Sequence, residues 1–236
     1  MKTREVAGKF KFWIRAETEM EIYRAESFFD KEPETIAWID DFTSGVFADV
    51  GANIGIYSLY CAATHPDVVV LAFEPMLENF NRLLQNIEIN GFHNIVPMRF
   101  AVGHTVKTAN LYVPKTEAGS SGAQIDHPMN EHRDYFEPMD VQNVSQFPLD
   151  GWPGVNYLKI DVDGHEIDVL RGASATLSSP LFRSMLIECN KQCIDMTWLD
   201  AEMKGCALSP DDKFNRMANH SRNRRGNDPE NVIFSR

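Results

Sequence analysis

The stretch FADVGANIGIYS, residues 47–58, holds the first residues of the chain whose types and spacing are typical of a ligand site. An apolar run ends in the acid Asp49, and Gly51, Asn53 and Gly55 follow it at alternate positions. Glycines in such a turn indicate that the backbone bends sharply, or lies close to a group that a Cβ atom would obstruct. The pattern predicts a strand, a turn that faces a bound molecule, and a helix. A strand–helix turn that binds nothing is the alternative.

The composition of this turn also narrows the kind of ligand. It has neither the G-x-G-x-x-G spacing of dinucleotide sites nor the Gly-Lys-Ser/Thr end of a P-loop. Asp49 would also repel a pyrophosphate held at the helix N-terminus. We therefore expect a ligand with positive charge and no phosphate, and S-adenosylmethionine fits. In that interpretation Asp49 acts on its ammonium group, directly or through water, the Gly51 backbone lies against its methionine part, and helix-terminal N–H groups take its carboxylate.

A second acid, Glu74, ends the apolar run VVVLAF, 25 positions after Asp49. Nucleoside-binding folds place an acid there, because a carboxylate accepts hydrogen bonds from both ribose hydroxyls. The pattern predicts that Glu74 holds the ribose of the cofactor. The alternative is an exposed glutamate at a strand end, followed by Pro75.

The densest group of ionisable residues is KIDVDGHEID at 159–168. If the acceptor of a methyl group is an alcohol, its oxygen must lose a proton, which a nearby aspartate or histidine accepts. We expect Asp161 to be that base, with His165 as the second candidate. Structural alternatives are that Asp163-Gly164 forms the turn and that Glu166 caps the following helix.

A metal site is a further option in this region. The side chains of Asp161, Asp163, His165 and Glu188 would suit Mg²⁺. Their spacing matches no specific metal motif, so the favoured interpretation has no metal.

Short apolar runs predict the strands that position these acids, and period-3.6 patterns predict the helices between them. The predicted strands are Val46–Val50, Val68–Phe73, Ile95–Val102, Tyr157–Val162 and Ser184–Glu188. This alternation predicts an α/β fold, a Rossmann-like doubly wound and mostly parallel sheet. The carboxyl ends of its strands then meet at one edge, where we expect Asp49, Glu74 and Asp161 to share a site.

Both ends of the chain are expected to add hairpins. Lys9–Arg15 is predicted to pair with Met20–Arg24, and Pro33 begins a helix that runs through Phe42. Near the C-terminus, Cys206–Ser209 is predicted to pair antiparallel with Val232–Phe234.

The segment 114–136 breaks the alternation, because it is polar and too long for an ordinary connection. Loops of this length are usually disordered or functional lids. We expect a lid, because the segment should project from the ligand edge. Within it Ser120, Ser121 and Gln124 are candidate contacts to the second substrate, and its two histidines are interpreted as surface residues.

Bulk composition bounds the class of protein. With 236 residues, of which 43% are hydrophobic, the chain suits one well-buried domain. A formal net charge of −11 argues against a general nucleic-acid binder. The cluster Arg222, Arg224 and Arg225 is interpreted as a solvated loop, with a lip for an anionic substrate as the alternative.

The same composition bears on where the protein acts. No apolar stretch approaches the roughly 20 residues needed to span a bilayer, and residues 1–20 hold no apolar segment of a secretory signal. The four cysteines are interpreted as buried or half-buried thiols of a reducing compartment. They are Cys61, Cys189, Cys193 and Cys206. A cytoplasmic protein is expected.

Three blocks together resemble the FkbM family of S-adenosylmethionine-dependent methyltransferases: FADVGANIGIYSLYCA (47–62), AFEPMLENFNRLLQN (72–86) and YLKIDVDGHEIDVLRGA (157–173). The resemblance runs from about Lys31 to Glu188 and implies a Rossmann-like domain that usually acts on a hydroxyl oxygen. Carried over by position, it implies that the cofactor is held by Asp49, Gly51, Asn53, Gly55 and Glu74, that its adenine borders Phe100 and Ala101, and that its methyl group lies near Asp161. Many relatives have glutamate at Asp163 and a small residue at His165.

We therefore expect an O-methyltransferase whose acceptor is a sugar, a glycan or a small metabolite. Its domain would span 46–236, with residues 1–45 packed on the core. A non-catalytic S-adenosylmethionine-binding module, and a methyltransferase acting on nitrogen, are the alternatives. Nucleic-acid N-methylation would require an Asn/Asp-Pro-Pro-aromatic tetrapeptide where this chain has residues 161–164, DVDG, so no nucleic-acid partner is expected.

Overall fold

A computed structural model describes residues 2–8, 10–130, 132–190, 194–220 and 229–236. Its strands, numbered in chain order, are β1 Thr3–Ala7, β2 Lys11–Arg15, β3 Gly45–Val50, β4 Val68–Phe73, β5 Ile95–Met98, β6 Ala101–Val102, β7 Lys107–Val113, β8 Gln124–Ile125, β9 Asp140–Phe147, β10 Val155–Ile160, β11 Ser184–Cys189, β12 Ser209–Pro210 and β13 Glu230–Ser235. Its helices are α1 Glu19–Glu26, α2 Phe28–Lys31, α3 Pro33–Asp40, α4 Ile56–Thr64, α5 Leu77–Asn90, α6 Glu166–Arg171, α7 Ser174–Ser178, α8 Met196–Gly205 and α9 Asp212–His220, with a 3₁₀ turn at Leu149–Gly151.

The central sheet has the strand order β5-β4-β3-β10-β11-β13-β12. Strands β5, β4, β3, β10 and β11 are parallel, β13 runs antiparallel to β11, and β12 pairs antiparallel with β13. The predicted doubly wound, mostly parallel sheet with an antiparallel C-terminal hairpin is therefore confirmed. Parallel strands need crossover connections, and these place helices on both faces of the sheet.

Neighbouring residues of β3 face opposite layers of helices, as expected from the period of two along a strand. Phe47 packs with residues of α3, α4 and α5, whereas Ala48 packs with residues of α6, α7 and α8. In the parallel pairing of β3 with β10, Asp49 lies opposite Lys159. These two polar side chains therefore project toward the layer of α3–α5, which the N-terminal part of the chain extends.

The predicted N-terminal hairpin is wrong in its second strand. Lys11–Arg15 pairs with Thr3–Ala7 instead, and Met20–Arg24 lies in α1. Thr18 begins this helix with a capping box: its hydroxyl accepts a hydrogen bond from the Glu21 N–H, and the Glu21 side chain accepts one from the Thr18 N–H. Two mutually satisfied backbone donors favour a helix start there.

The predicted third strand, 95–102, is also wrong in its extent. Its first part is β5 of the central sheet, but the chain leaves that sheet after Met98, and Ala101–Val102 joins a second sheet of order β6-β9-β7-β8. Strands β7 and β9, which build most of this second sheet, were not predicted. Both strands alternate buried and exposed residues, since Ala109, Leu111 and Val113 are buried along β7 and Gln142, Val144 and Gln146 along β9.

Three further expectations concern membrane-spanning helices, the cysteines and the arginine cluster. No helix within the described residues is long and apolar enough to cross a membrane. Cys61 and Cys189 are buried and Cys206 is half-buried. Cys193 and the arginine cluster at 222–225 lie outside the described residues.

Candidate active site

A crevice of about 640 Å³, open solvent included, lies at the carboxyl ends of β3, β4 and β10. We call it the first crevice. Among the residues that line it are Gly51, Asn53, Glu74, Phe100, Ala101, Ser120, Asp161, Asp163 and His165. The carboxyl ends of these strands meet at one edge of the sheet, as expected. Most of the predicted site residues therefore lie around the first crevice.

The two glycines of the first turn have different reasons to be glycine. Gly51 has φ +84°, and a Cβ atom there would lie 1.8 Å from the carbonyl oxygen of Asp161. Gly55 also has positive φ, but its missing Cβ makes room for the side chain of Leu83 in α5, at 2.3 Å. Gly51 lines the first crevice, whereas Gly55 serves the packing of one helix on another.

Asp49 lies beneath this turn and does not belong to the crevice lining. It is only 1% exposed, and one carboxylate oxygen accepts a hydrogen bond from the Ser58 hydroxyl at 2.6 Å. Among the described residues its other oxygen, Oδ1, has no hydrogen-bond partner. Burial raises the pKa of Asp49, and the nearby Lys159 ammonium opposes the rise.

Glu74 is buried at the end of β4 and organises the turn. Its two carboxylate oxygens accept hydrogen bonds from the backbone N–H groups of Met76, at 2.9 Å, and Asn53, at 2.8 Å. Burial raises the pKa of Glu74 to about 7, against the effect of these two donors. Asn53 also donates a hydrogen bond through its side chain to the carbonyl oxygen of Ser120, so it links the glycine turn to the segment that contains Ser120.

An aromatic wall closes one side of the first crevice. Phe100 stacks on Trp152 with ring centroids 5.0 Å apart and an interplanar angle of 21°, and it meets Phe73 and Phe147 edge-on. Ala101 follows as a small buried residue of β6. An apolar slot bounded by a flat ring suits a planar heterocycle.

Asp161 follows β10 and lies where three spaces meet, because it lines the first crevice and two neighbouring ones. Its Oδ2 lies 2.6 Å from Nζ of Lys159. Burial alone would raise the pKa of Asp161, but the charge and the hydrogen bond of Lys159, together with the charge of Lys31, outweigh burial and lower the pKa. Asp161 is therefore an ionised carboxylate at neutral pH.

Beyond Asp161 lies a second crevice of about 810 Å³, open solvent included. Its lining is mostly polar: Arg24, Lys31, Gly51, Ala52, Asn53, Ile54, Ile56, Tyr57, Ser121, Lys159, Asp161, Asp163, Glu188 and Pro229. Residues 24 and 31 come from the N-terminal helices α1 and α2, which sequence reasoning did not connect with the site.

A charged network underlies this second crevice. Glu32 accepts a hydrogen bond from the Tyr57 hydroxyl at 2.7 Å and pairs with Lys31 at 2.8 Å. Burial favours its neutral form, yet the ammonium groups of Lys31 and Lys159 lower the pKa of Glu32 to about 2. Burial raises the pKa of Glu188, another residue of this lining, well above its ordinary range, and the charge of Asp161 adds to the rise.

The turn after Asp161 supports the structural interpretation of Asp163-Gly164. Both residues have positive φ, 52° and 109°. Glu166 accepts a hydrogen bond from the Gly164 N–H at 2.9 Å, and burial raises its pKa to about 7. The Asp163 carboxylate accepts the Gly122 N–H at 2.7 Å, and its carbonyl accepts from the Gln124 side chain.

His165 faces residues 118–125, which we call the cover segment. Its Nε2 accepts a hydrogen bond from the Ile125 N–H at 3.2 Å, and its ring stacks on that of His127 with centroids 5.7 Å apart. Burial lowers the pKa of His165, and the His127 ring adds to the effect. The Nε2 lone pair that a base would use is thus engaged by the cover segment.

The side chains suggested for Mg²⁺ have other partners. Asp161 pairs with Lys159, Asp163 accepts from Gly122, and His165 accepts from Ile125. Within the described residues, no three His, Cys, Asp or Glu side chains form a group that could hold a metal ion.

Lys159 is the residue of the site that sequence reasoning missed most clearly. It is fully buried, and its ammonium lies 4.9 Å from the centre of the Tyr57 ring. A signal existed, because this lysine stands between the apolar residues Leu158 and Ile160 of the strand, and buried lysines are almost always paired.

The chain is similar in sequence to known methyltransferases. A family model described as the methyltransferase FkbM domain matches residues 49–219. Methyltransferase 1 of Beauveria bassiana is 28% identical over 173 residues, which are 66% of this chain and 68% of that protein. Hexuronic acid methyltransferase AglP of Haloferax volcanii is 29% identical over 188 residues, 78% of this chain and 72% of that protein. Among solved structures, a SAM-dependent methyltransferase from Aquifex aeolicus has a TM-score of 0.48 at 11% identity, covering 92% of this chain and 96% of that one.

Proposed function

The chain belongs to the FkbM family of S-adenosylmethionine-dependent methyltransferases, and from that premise we propose that it methylates a hydroxyl oxygen of a sugar, a glycan or a small metabolite. The observation that carries the proposal is the position of Asp161, an ionised carboxylate shared by the first crevice and the polar second crevice. A cofactor in the first and an acceptor in the second would meet at this residue.

The first crevice fits S-adenosylmethionine in its chemistry, since a buried carboxyl group, an aromatic ring and the glycine turn all line it. Glu74 would hold the ribose hydroxyls, and Phe100 and Ala101 would border the adenine. The Gly51 and Asn53 backbone would lie along the methionine part, with Gly55 shaping the turn.

Two buried polar atoms support this assignment. The hydroxyl of Ser120 lines the first crevice and, within the described residues, has no hydrogen-bond partner; the same holds for Oδ1 of Asp49 beneath the turn. A buried polar atom without a partner costs free energy, which a bound ligand or an ordered water would recover. We assign Ser120 to direct contact with the cofactor, and Asp49 to contact with its ammonium through water.

When bound, S-adenosylmethionine supplies an electrophilic methyl group. Asp161 orients the acceptor hydroxyl and accepts its proton, because it is ionised and open to both crevices. Lys159 holds this carboxylate in place, so that nucleophile and methyl group are kept in near-attack geometry. His165 is a weaker candidate for the base, since its Nε2 already accepts the Ile125 N–H.

The second crevice supports a hydrophilic acceptor. Its walls are formed by charged and polar side chains, and the relative from Haloferax volcanii carries hexuronic acid in its name. We propose that residues 46–236 form the methyltransferase domain, that 1–45 complete the acceptor side, and that 114–136 act as a lid.

The test is a combination of binding and turnover. Calorimetry should detect S-adenosylmethionine binding, and S-adenosylhomocysteine release should depend on a hydroxyl-bearing acceptor. Asp161→Asn should lower kcat by about 100-fold or more, as for loss of a general base, with cofactor affinity nearly unchanged. Absence of cofactor binding, or a product methylated on nitrogen, would contradict the proposal.

The option of Mg²⁺ is tested in the same assay. The roles assigned to Asp161 and Lys159 require no metal ion, so turnover should survive EDTA. Turnover that EDTA abolishes and Mg²⁺ restores would show that a metal acts in this site.

A further inference from the structure

Arg24 lines the second crevice from the last turn of α1. Its Nε donates a hydrogen bond to the carbonyl oxygen of Gly119 at 2.9 Å, which fixes the plane of the guanidinium group. Among the described residues, its two terminal nitrogens make no hydrogen bond or ion pair. The arginine is thus held in place by one nitrogen while two others remain available.

The other cations of this crevice are already paired. Lys31 lies 2.8 Å from a Glu32 oxygen, and Lys159 lies 2.6 Å from an Asp161 oxygen. Within the described lining, Arg24 is therefore the cation whose charge no carboxylate neutralises.

Arg24 shares the second crevice with the residue proposed to act on the acceptor. Asp161 lines that crevice together with Arg24, and it also lines the first crevice. A molecule that fills the second crevice would therefore contact both side chains.

We propose that Arg24 selects the methyl acceptor, and that this acceptor carries a carboxylate bound by the two terminal guanidinium nitrogens. The inference rests on the proposed methyl transfer and adds the substrate class. Two parallel N–H groups match the two oxygens of a carboxylate, and such pairs give geometric specificity as well as affinity. Arg24 lies outside residues 49–219, the part that the family model matches, so this specificity belongs to the N-terminal extension.

The experiment compares two probes that differ in one group. Methyl β-D-glucuronide carries a carboxylate where methyl β-D-glucoside carries a hydroxymethyl group. Their affinities for the full chain, saturated with S-adenosylhomocysteine, are measured by calorimetry. We expect the glucuronide to bind about 10- to 100-fold more tightly, the effect of a charge-assisted hydrogen-bonded pair.

Variants at Arg24 separate recognition from support of the cover segment. Arg24→Gln should bring the ratio of the two affinities close to one. Loss of the hydrogen bond to Gly119 would affect both probes equally, whereas loss of the positive charge would weaken only the glucuronide. Arg24→Lys should keep part of the preference, since it keeps the charge without the fork. Arg4→Gln is the matched control: Arg4 forms an exposed ion pair with Glu26 of the same helix, and its loss should leave the ratio unchanged.

Several outcomes would overturn the inference: equal affinities in the wild type, failure of both probes to bind, or a preference that survives Arg24→Gln. If glucose 6-phosphate binds more strongly than the glucuronide, the group that Arg24 recognises is a phosphate, and the proposed carboxylate is wrong. Failure of the proposed methyl transfer would give a different result. If the glucuronide is preferred but no hydroxyl acceptor releases S-adenosylhomocysteine, methylation is wrong and recognition stands. Equal release of S-adenosylhomocysteine with both acceptors would support methylation and contradict selection by Arg24.

Discussion

The ammonium of Lys159 and the carboxylate of Asp161 lie 2.6 Å apart on one face of the strand end that carries the candidate reaction. The two residues are two positions apart, so an extended backbone directs both side chains the same way. Lys159 is 2% exposed in its side chain and Asp161 31%. Burial favours the neutral form of Lys159, but the surrounding carboxylates keep it charged, and Lys159 is in turn the main cause of the lowered pKa of Asp161.

Lys159→Met should therefore destabilise the protein by about 3 kcal/mol at neutral pH, as for loss of one partner of a buried ion pair. Because the pKa of Asp161 is lowered in the folded state, its stabilising contribution is present above the ordinary pKa of about 4 and is lost as the pH falls through the lowered one. The difference in unfolding free energy between the wild type and Lys159→Met should therefore become smaller at acidic pH. Denaturant titrations at several pH values measure it, with the exposed Lys213→Met as control, expected below about 1 kcal/mol. Equal losses in the two variants would contradict a structural role for the pair.

Glu74→Ala should weaken S-adenosylmethionine binding by about 10- to 100-fold, the effect of hydrogen bonds to a charged group. Since the pKa of Glu74 is about 7, part of the unliganded protein carries a protonated carboxyl group. Ribose hydroxyls favour the ionised form, so wild-type affinity should rise as the pH increases through about 7 and binding should release protons. Calorimetry in buffers of different ionisation enthalpy tests this, with Glu88→Ala on the exposed side of α5 as control. A pH-independent affinity in the wild type would remove Glu74 from the ribose site.

Gly51→Ala and Gly91→Ala form a matched pair, because both glycines have positive φ, +84° and +64°. At Gly91 no heavy atom lies within 4 Å of the added Cβ, so only backbone strain of about 1 kcal/mol is expected. At Gly51 the Cβ would collide with the Asp161 carbonyl, and we expect a loss above about 3 kcal/mol together with loss of cofactor binding. Thermal unfolding and calorimetry measure both effects. Similar behaviour of the two variants would show that the close approach at Gly51 is unimportant.

His165 should make the cover segment sensitive to pH. The neutral ring accepts a hydrogen bond from the Ile125 N–H, but a protonated ring carries hydrogen on Nε2 and cannot accept it. Asp168 and Asp126 oppose this by favouring the charged ring. Because burial lowers the pKa of His165, the contact should hold at neutral pH and weaken as the pH falls through that lowered value. Hydrogen exchange of the Ile125 amide, corrected for intrinsic rates, measures this. His165→Ala should exchange fast at every pH, and the exposed His93→Ala should behave as wild type; protection that persists in His165→Ala would exclude the mechanism.

Much of the fold followed from local patterns. The apolar runs at 46–50 and 68–73 are strands in the structure, Pro33 begins α3, and Gly91 follows α5 in a left-handed conformation. The second sheet was missed although β7 and β9 alternate polar and apolar residues, because these strands flank a segment whose composition indicates a loop. The N-terminal hairpin was misassigned because the capping box at Thr18 was not weighed against the charged and apolar residues that follow it.

The sequence by itself determined that Glu74 and Asp161 meet at one sheet edge, because parallel strands with right-handed crossovers bring their carboxyl ends together whatever the details of packing. Only the tertiary structure decided that Asp49 lies beneath the turn and outside the crevice, that Arg24 reaches the second crevice, and that His165 holds the cover segment. These relationships join residues far apart in the chain, and their distances depend on strand register and on how helices pack. No local pattern encodes such distances, since a shift of one residue in register would direct the same side chains to the other face.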